Sequence, residues 1–174
     1  MPSKFVCSHC GKEHEGLPTD WGYKLPDEVH DLSYLERYAR SRHNSDLCTL
    51  DEGRHFVRTL LRLPLTDGAG DQAFSWGVWV EVDKQTHDLY LSSWQEDISH
   101  HPRSAGRIAN SIVIYGDTLG LPVEIQFQPG NDRPIVFLAP GTTHALALEQ
   151  ARGISGKRHH DILVALGHFD ESDA

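Results

Sequence analysis

Basic residues and long apolar runs are scarce in this sequence of 174 residues. It has 16 Lys and Arg residues against 25 Asp and Glu residues, which gives a formal net charge of −9. Charge of this sign repels phosphate backbones, so nucleic acid is an unfavourable partner. No segment has the roughly 18 to 20 consecutive apolar residues that span a bilayer, and the first residues lack the basic and apolar regions of a signal peptide. We therefore expect a cytoplasmic protein with no membrane partner.

Cysteine is also scarce. The three cysteines are an odd number, which argues against a disulfide framework and for metal binding or free thiols in a reducing compartment. The composition is otherwise that of a globular chain, with 39% hydrophobic and 24% charged residues, and the length suits one domain with its own core. We expect residues 1–20 to form a zinc-knuckle hairpin and residues 21–174 to form a single α+β domain packed with it.

Alternation of apolar and polar residues predicts two β-hairpins in the middle of the chain. The first joins residues 54–65 to 74–82, and the second joins 121–127 to 133–138. A helix is predicted for residues 26–42. Residues 84–96 suit either a short helix or a strand, and we prefer the helix. Two more helices follow near the C-terminus, where Thr142 or Thr143 and then Ser155 are suitable N-caps and Gly153 is a suitable helix end.

Strands in the middle and helices towards the ends indicate the fold class. The expected fold is α+β, with a mostly antiparallel sheet covered by helices and a zinc-ribbon-like hairpin at the N-terminus.

The segment Cys7-Ser8-His9-Cys10-Gly11 is the sharpest motif. A gap of two residues lets both sulfurs approach one zinc ion at about 2.3 Å, and the glycine can adopt the positive φ angle of a tight turn. A redox-active pair normally opens a helix after a strand, and no helix is predicted here. The motif therefore favours zinc.

A structural zinc ion takes four ligands, so two more residues are required. Cys48 is the remaining thiol, and His14 is the nearest imidazole after the turn. The preferred set is Cys7, Cys10, His14 and Cys48, which would close the site around a structural zinc ion. His9, His43 and His55 are alternative imidazole ligands.

Aromatic and histidine residues outside the motif have simpler interpretations. Trp79 lies on the polar face of its predicted strand, where a helix, the N-terminal hairpin or a bound ligand could cover it. The adjacent pairs His100-His101 and His159-His160 lack metal-chelating spacing and are expected on the surface or in loops. Neither a hydrolase nucleophile elbow nor a phosphate-binding glycine loop is present.

Several segments together resemble one protein family. They are Phe5-x-Cys7-x2-Cys10-Gly11-x2-His14, Asp46-Leu47-Cys48, residues 74–80, Arg133-Pro134, and residues 144–155 ending in Gly153-Ile154-Ser155. The chain resembles, over almost its whole length, the uncharacterised bacterial family called domain of unknown function 2199. The resemblance implies a bacterial cytoplasmic protein, groups His14 and Cys48 with the cysteine pair, and implies no particular reaction.

Three functions follow from these patterns. We expect a zinc-stabilised, non-catalytic binding or regulatory protein whose partner is a protein or a small molecule. The alternative is a small metal-dependent enzyme of the hydrolase type, with an open zinc position near Glu13, Asp46 or a histidine. The third is a protein interaction module with Trp79 and Trp94 as exposed anchors. Four protein ligands on zinc would favour the first function, and three ligands plus water the second.

Overall fold

The computed structural model describes residues 4–6, 11, 13–15, 17–67 and 72–167. The strands within these residues are β1 (Lys4–Val6), β2 (Glu13–Glu15), β3 (Asp20–Gly22), β4 (Ser41–His43), β5 (Leu47–Leu50), β6 (Arg54–Pro64), β7 (Ala73–Val82), β8 (Ser104–Ile108), β9 (Pro122–Gln126) and β10 (Ile135–Leu138). The helices are α1 (Asp27–His30), α2 (Tyr34–Arg40), α3 (Lys84–Ser92), α4 (Ala145–Arg152) and α5 (Gly156–Ala165). In this part of the chain, no helix has both the length and the hydrophobicity needed to cross a membrane.

Five strands close into a barrel in the order β7, β8, β9, β10 and β6. Each neighbouring pair in this ring is antiparallel except β10 and β6, which pair in parallel at Ile135 and Leu60. The sheet continues beyond the ring, because β3 joins β7 in parallel and β5 and β4 follow β6 in antiparallel order.

The predicted helix-covered antiparallel sheet is therefore wrong. The two long strands β6 and β7 pair with each other along their length, and each has two short neighbours on its other edge. A long strand that changes neighbours can belong both to a ring and to an open extension. The sheet buries its inner face largely by closing on itself, so a covering layer of helices is not what defines the fold.

Alternate side chains of β6 and β7 face the barrel interior, as the sequence pattern predicts. Both predicted hairpins are confirmed by the antiparallel pairs β6–β7 and β9–β10. Helix α3 adds Tyr90, whose ring stacks on that of Phe127 with 5.9 Å between centroids. The buried barrel residues include Val57, Leu61, Leu63, Phe74, Trp76, Val78, Val80, Val123, Ile125 and Val136.

A second apolar cluster lies on the outer face of β6 and β7. There Trp79 packs with Phe56 and with Val29 of α1, and it is 0% exposed. Its indole Nε1 donates to the carbonyl oxygen of Tyr23 at 3.0 Å. Cover by a helix is thus confirmed, and the hypothesis that Trp79 is an exposed anchor is wrong, whereas Trp94 is 55% exposed.

The predicted helices are present with changed boundaries. The single helix predicted for residues 26–42 is divided into α1 and α2, because Ser33 starts a new helix through a reciprocal capping box with Glu36. Helix α4 is capped by His144 rather than by a threonine and ends at Gly153, whose φ is +81°. Ser155 caps α5 as predicted, since its hydroxyl accepts from the backbone N–H of Arg158.

The N-terminal strands β1 and β2 form an antiparallel pair with Val6 opposite Glu13. Gly11 has a φ of +75°, which confirms the predicted left-handed conformation. The described residues show this two-stranded hairpin but no zinc ribbon, so that part of the predicted fold is corrected. The division of the chain at residue 20 stays a prediction.

Candidate functional site

The predicted zinc ligands are only partly described. Cys7, Cys10 and the alternative ligand His9 lie outside the described residues. His14 belongs to β2, and Cys48 belongs to β5. Within residues 4–6, 11, 13–15, 17–67 and 72–167, no three His, Cys, Asp or Glu side chains come together as a metal site. The four-ligand set stays a prediction.

Cys48 lies in the second apolar cluster and is 1% exposed. Its neighbours there include Leu50, Phe56 and Trp79. Burial raises the pKa of the Cys48 thiol to about 11, because a thiolate loses hydration in apolar surroundings. These surroundings favour a neutral, unreactive thiol.

Two alternative histidine ligands lie on strands beside Cys48. His43 is opposite Cys48 in the β4–β5 pair and has an exposed side chain. His55 is opposite Thr49, so its side chain lies on the other face of the sheet from Cys48. On that face its ring contacts that of His87, with 4.7 Å between centroids. Of these two histidines, His43 is the one that shares a face with Cys48.

Asp46 was a candidate base for an open metal site. Arg133 Nε donates to Asp46 Oδ1 at 2.7 Å. Burial raises the pKa of Asp46, but the hydrogen bonds from Arg133 and Ser45 together lower it by more than burial raises it. The pKa of Asp46 therefore lies below the ordinary value of an aspartate. A carboxylate held ionised in this way is a poor general base near neutral pH.

A histidine–aspartate pair at the start of α4 has the separation of an acid–base dyad. His144 Nδ1 accepts from the backbone N–H of Leu146 at 3.1 Å, so the ring proton is on Nε2 and is donated to Asp117 Oδ1 at 2.8 Å. Because both ring nitrogens have partners, neither is placed to take a proton from a substrate. We interpret His144 as a helix cap.

A groove of about 810 Å³ lies between β6, β10 and α4, a volume within the usual range for small-molecule sites. We call it the β6–β10 groove. It is lined by Arg62, Pro64, Leu65, Gln72, Ala73, Arg103, Gln128, Ile135, Phe137, Leu138, Ala139, Pro140, Gly141, Thr142, Ala147, Gln150 and Ala151.

The groove exists because β6 and β10 part after their single paired position. Ile135 pairs with Leu60, and beyond this point backbone groups of β10 form hydrogen bonds with a side chain of α4 instead of with β6. Leu138 N–H donates to Gln150 Oε1 at 2.9 Å, and Gln150 Nε2 donates to the carbonyl oxygen of Val136 at 2.8 Å. The amide of Gln150 thus takes the place of a strand neighbour and satisfies these two backbone groups of β10.

The charged side chains of the groove are both cationic. Arg62 and Arg103 line it, and its described lining contains no Asp or Glu. The Arg103 guanidinium carbon lies 3.9 Å from the centre of the Phe137 ring, a stacked arrangement that orders the cation while its N–H groups remain available at the edge. This local positive charge contrasts with the net charge of −9.

A second, more polar depression of about 630 Å³ adjoins the groove. It shares Arg62, Gln128 and Ile135 with the groove and adds the Asp46–Arg133 ion pair. Arg133, the cation that this depression adds, is therefore already neutralised by a carboxylate. Arg103 lines only the β6–β10 groove and forms no ion pair with a described residue.

This groove was not predicted from the sequence. Its residues come from β6, β10, α4, the segment before β8, the start of β7 and the adjoining loops, and they meet only because the barrel closes. One local signal was available, since Ala147, Gln150 and Ala151 have the spacing of one helix face and two of them are small. That pattern alone also describes ordinary helix packing.

The fold and the groove together define a class of protein: a closed five-stranded barrel whose wall opens into a cleft of ligand size. The sequence profile of the family described as "Uncharacterized protein conserved in bacteria (DUF2199)" matches residues 6–154. The chain belongs to this family, which confirms the expected membership. No curated protein and no solved structure matches the chain.

Proposed function

We propose that this protein is a non-catalytic binding protein that holds a small molecule with an apolar body in the β6–β10 groove. The observation that carries the proposal is the groove itself, about 810 Å³ in volume, with Ile135 and Phe137 among its apolar lining residues. Rigid elements surround it, because β6 and β10 are strands of the barrel and α4 is tied to β10 through Gln150. Preformed, mostly apolar clefts of this size are typical small-molecule sites.

The lining supports binding rather than chemistry. Its described residues include no His, Cys, Ser, Lys, Asp, Glu or Tyr, which are the usual acids, bases and nucleophiles. Among these described residues Thr142 supplies the one hydroxyl, which donates to the carbonyl oxygen of Ala139 at 2.7 Å. A bound molecule would meet apolar surface, amides and guanidinium groups.

The test is a fluorescence titration with N-phenyl-1-naphthylamine, a neutral apolar probe. Ala151 lines the groove and Ala145 lies on the same helix outside the lining, so Ala151→Trp fills the groove and Ala145→Trp is the matched control. We expect the wild type and the control to bind the probe alike and Ala151→Trp to bind at least about tenfold more weakly. Equal binding by all three proteins, with unchanged thermal unfolding, would refute the groove as the site.

We also propose that the N-terminal cysteine pair binds zinc. The motif Cys7-x2-Cys10-Gly11 and the left-handed φ of Gly11 support this proposal. His14 and Cys48 are the proposed further ligands, although the apolar surroundings of Cys48 favour a neutral thiol. A closed site of this kind would stabilise the fold.

Metal content and X-ray absorption at the zinc edge test this second proposal. The full set predicts one zinc per chain with three sulfur ligands at about 2.3 Å, and loss of zinc in Cys10→Ser. Cys48→Ala removes the thiol without burying a hydroxyl, so retention of zinc in this variant would remove Cys48 from the set. Absence of metal from the wild type would refute the zinc proposal, and three protein ligands plus water would favour the metal-dependent enzyme.

A further inference from the structure

We infer that the ligand of the β6–β10 groove carries an oxyanion head group on an apolar body, and that Arg103 is the main contact of that head group. This inference rests on the proposed binding function and names the chemistry of the ligand. The head group is a carboxylate, sulfonate or phosphate ester, since all three present oxygens that a planar guanidinium can bind through two N–H groups.

Two arginines, Arg62 and Arg103, and the ring of Phe137 lie in the lining of the groove. Arg103, which directly precedes β8, lies over the Phe137 ring with its guanidinium carbon 3.9 Å from the ring centre. A cation and an apolar surface therefore adjoin each other in the lining.

Arg103 is the better placed of the two cations. Arg62 already takes part in another contact within the chain. The guanidinium of Arg103 makes no hydrogen bond or ion pair with any described residue, and it contacts the Phe137 ring. An arginine ordered by an aromatic ring, in a cleft whose described lining has no carboxylate, is suited to receive an anion.

The net charge of −9 explains why an anionic ligand would need a local cation such as Arg103 in the groove. The long-range field repels anions, so an anionic ligand needs local cations without a neighbouring carboxylate. Among the described residues Arg103 meets this condition, whereas Arg133 of the adjoining depression does not, because it is paired with Asp46.

The experiment compares ligands of equal chain length and different head groups: decanoate, decyl phosphate and 1-decanol, each displacing N-phenyl-1-naphthylamine. Arg103→Gln removes the charge and Arg103→Lys keeps the charge without the planar fork. Arg107→Gln is the control, because Arg107 lies in β8 outside the groove lining and changes the net charge equally.

We expect an anion to bind the wild type at least about tenfold more tightly than 1-decanol does. In Arg103→Gln the ratio of the two affinities should fall about tenfold, which is the effect of losing one charge-assisted hydrogen bond. Arg103→Lys should keep part of the preference and Arg107→Gln all of it. Tighter binding of decyl phosphate than of decanoate would support the inference and identify a phosphorylated ligand, and the reverse order would identify a carboxylate.

Two outcomes would overturn the inference, and they differ in what else they affect. If the probe and 1-decanol bind but neither anion is preferred, or if Arg103→Gln keeps the preference, the oxyanion inference is wrong and the binding function stands. If the probe and all three decyl ligands fail to bind the folded wild type, the binding function is wrong as well.

Discussion

Gln150 is the residue that makes an open groove compatible with a closed barrel. Its amide donates to the carbonyl oxygen of Val136 and accepts from the N–H of Leu138. In a continuous sheet these two backbone groups would pair with the next strand. A single side chain from α4 therefore satisfies the edge of β10 where β6 has moved away, and it fixes the distance between the helix and the barrel.

Replacing Gln150 with Ala should lower the free energy of unfolding by about 1–3 kcal/mol, because two part-buried backbone groups lose their partners. Urea denaturation of the purified protein measures this change. Arg152→Ala is the control on the same helix, where an exposed side chain is truncated, and it should change stability by less than about 0.5 kcal/mol. Equal stability of the two variants would show that water replaces the amide at no cost.

At the scale of single elements, local signals were sufficient for part of the fold. Both long hairpins follow from alternation within one segment, and the capping of α5 by Ser155 follows from one side chain. These elements are predictable because the residues that determine them are neighbours in sequence.

The strands that were missed depend on distant partners. Strand β3 pairs with β7, and β4 and β5 have four residues or fewer, too few for a clear alternation. The parallel contact of Ile135 with Leu60 closes the barrel across 75 positions of sequence, and no local pattern encodes it. The groove could not be predicted for the same reason, since the separation of β6 from β10 creates it.

Helices α1 and α2 are consecutive but differ in what they bury. Val29 of α1 is 0% exposed and covers Trp79 and Cys48, whereas Leu35 of α2 is 74% exposed. Although the sequence suggested one amphipathic helix, the break before Ser33 leaves α1 to cover the second cluster while no residue of α2 is buried.

Truncation of these two side chains should therefore have different effects. Val29→Ala removes two buried carbons from the second cluster and should destabilise the protein by about 1–3 kcal/mol. Leu35→Ala removes more carbon from an exposed position and should change stability by less than about 0.5 kcal/mol. Thermal and urea unfolding of both variants measure the difference. A similar loss in both would mean that α2 is covered in solution.

For the whole molecule, buried histidines link stability to pH. The pair His159-His160, expected on the surface, is instead buried in α5 together with Ile162 and Leu163. Nε2 of His159 donates a hydrogen bond to the carbonyl oxygen of Pro18 at 2.8 Å, because a carbonyl oxygen can only accept. The expectation of a surface or loop position was wrong for this pair, because a neutral imidazole with a hydrogen-bond partner can belong to a core.

The imidazoles of His55 and His159 should make the protein sensitive to mild acid. Burial lowers the pKa of His55, with a further lowering from His87 and Lys84 and a partial offset from Asp88. Burial also lowers the pKa of His159, against the hydrogen bond to Pro18 and together with His160. A pKa that is lower in the folded than in the unfolded protein gives stability that is complete above the unfolded value, about 6.5, and is lost as pH falls through the folded value.

We expect the free energy of unfolding to fall between pH 7 and pH 5, by at most about 1.4 kcal/mol per pH unit for each imidazole. Urea denaturation at several pH values measures this slope. The double variant His55→Gln/His159→Gln should have a smaller slope, and His30→Gln, at an exposed position, should retain that of the wild type. Carboxylates with lowered pKa values, such as Glu81 beside Arg54, act only below about pH 4.5, because their unfolded values lie near 4. A slope unchanged in the double variant would assign the acid sensitivity to another process, of which release of zinc by protonated cysteines is the first to test.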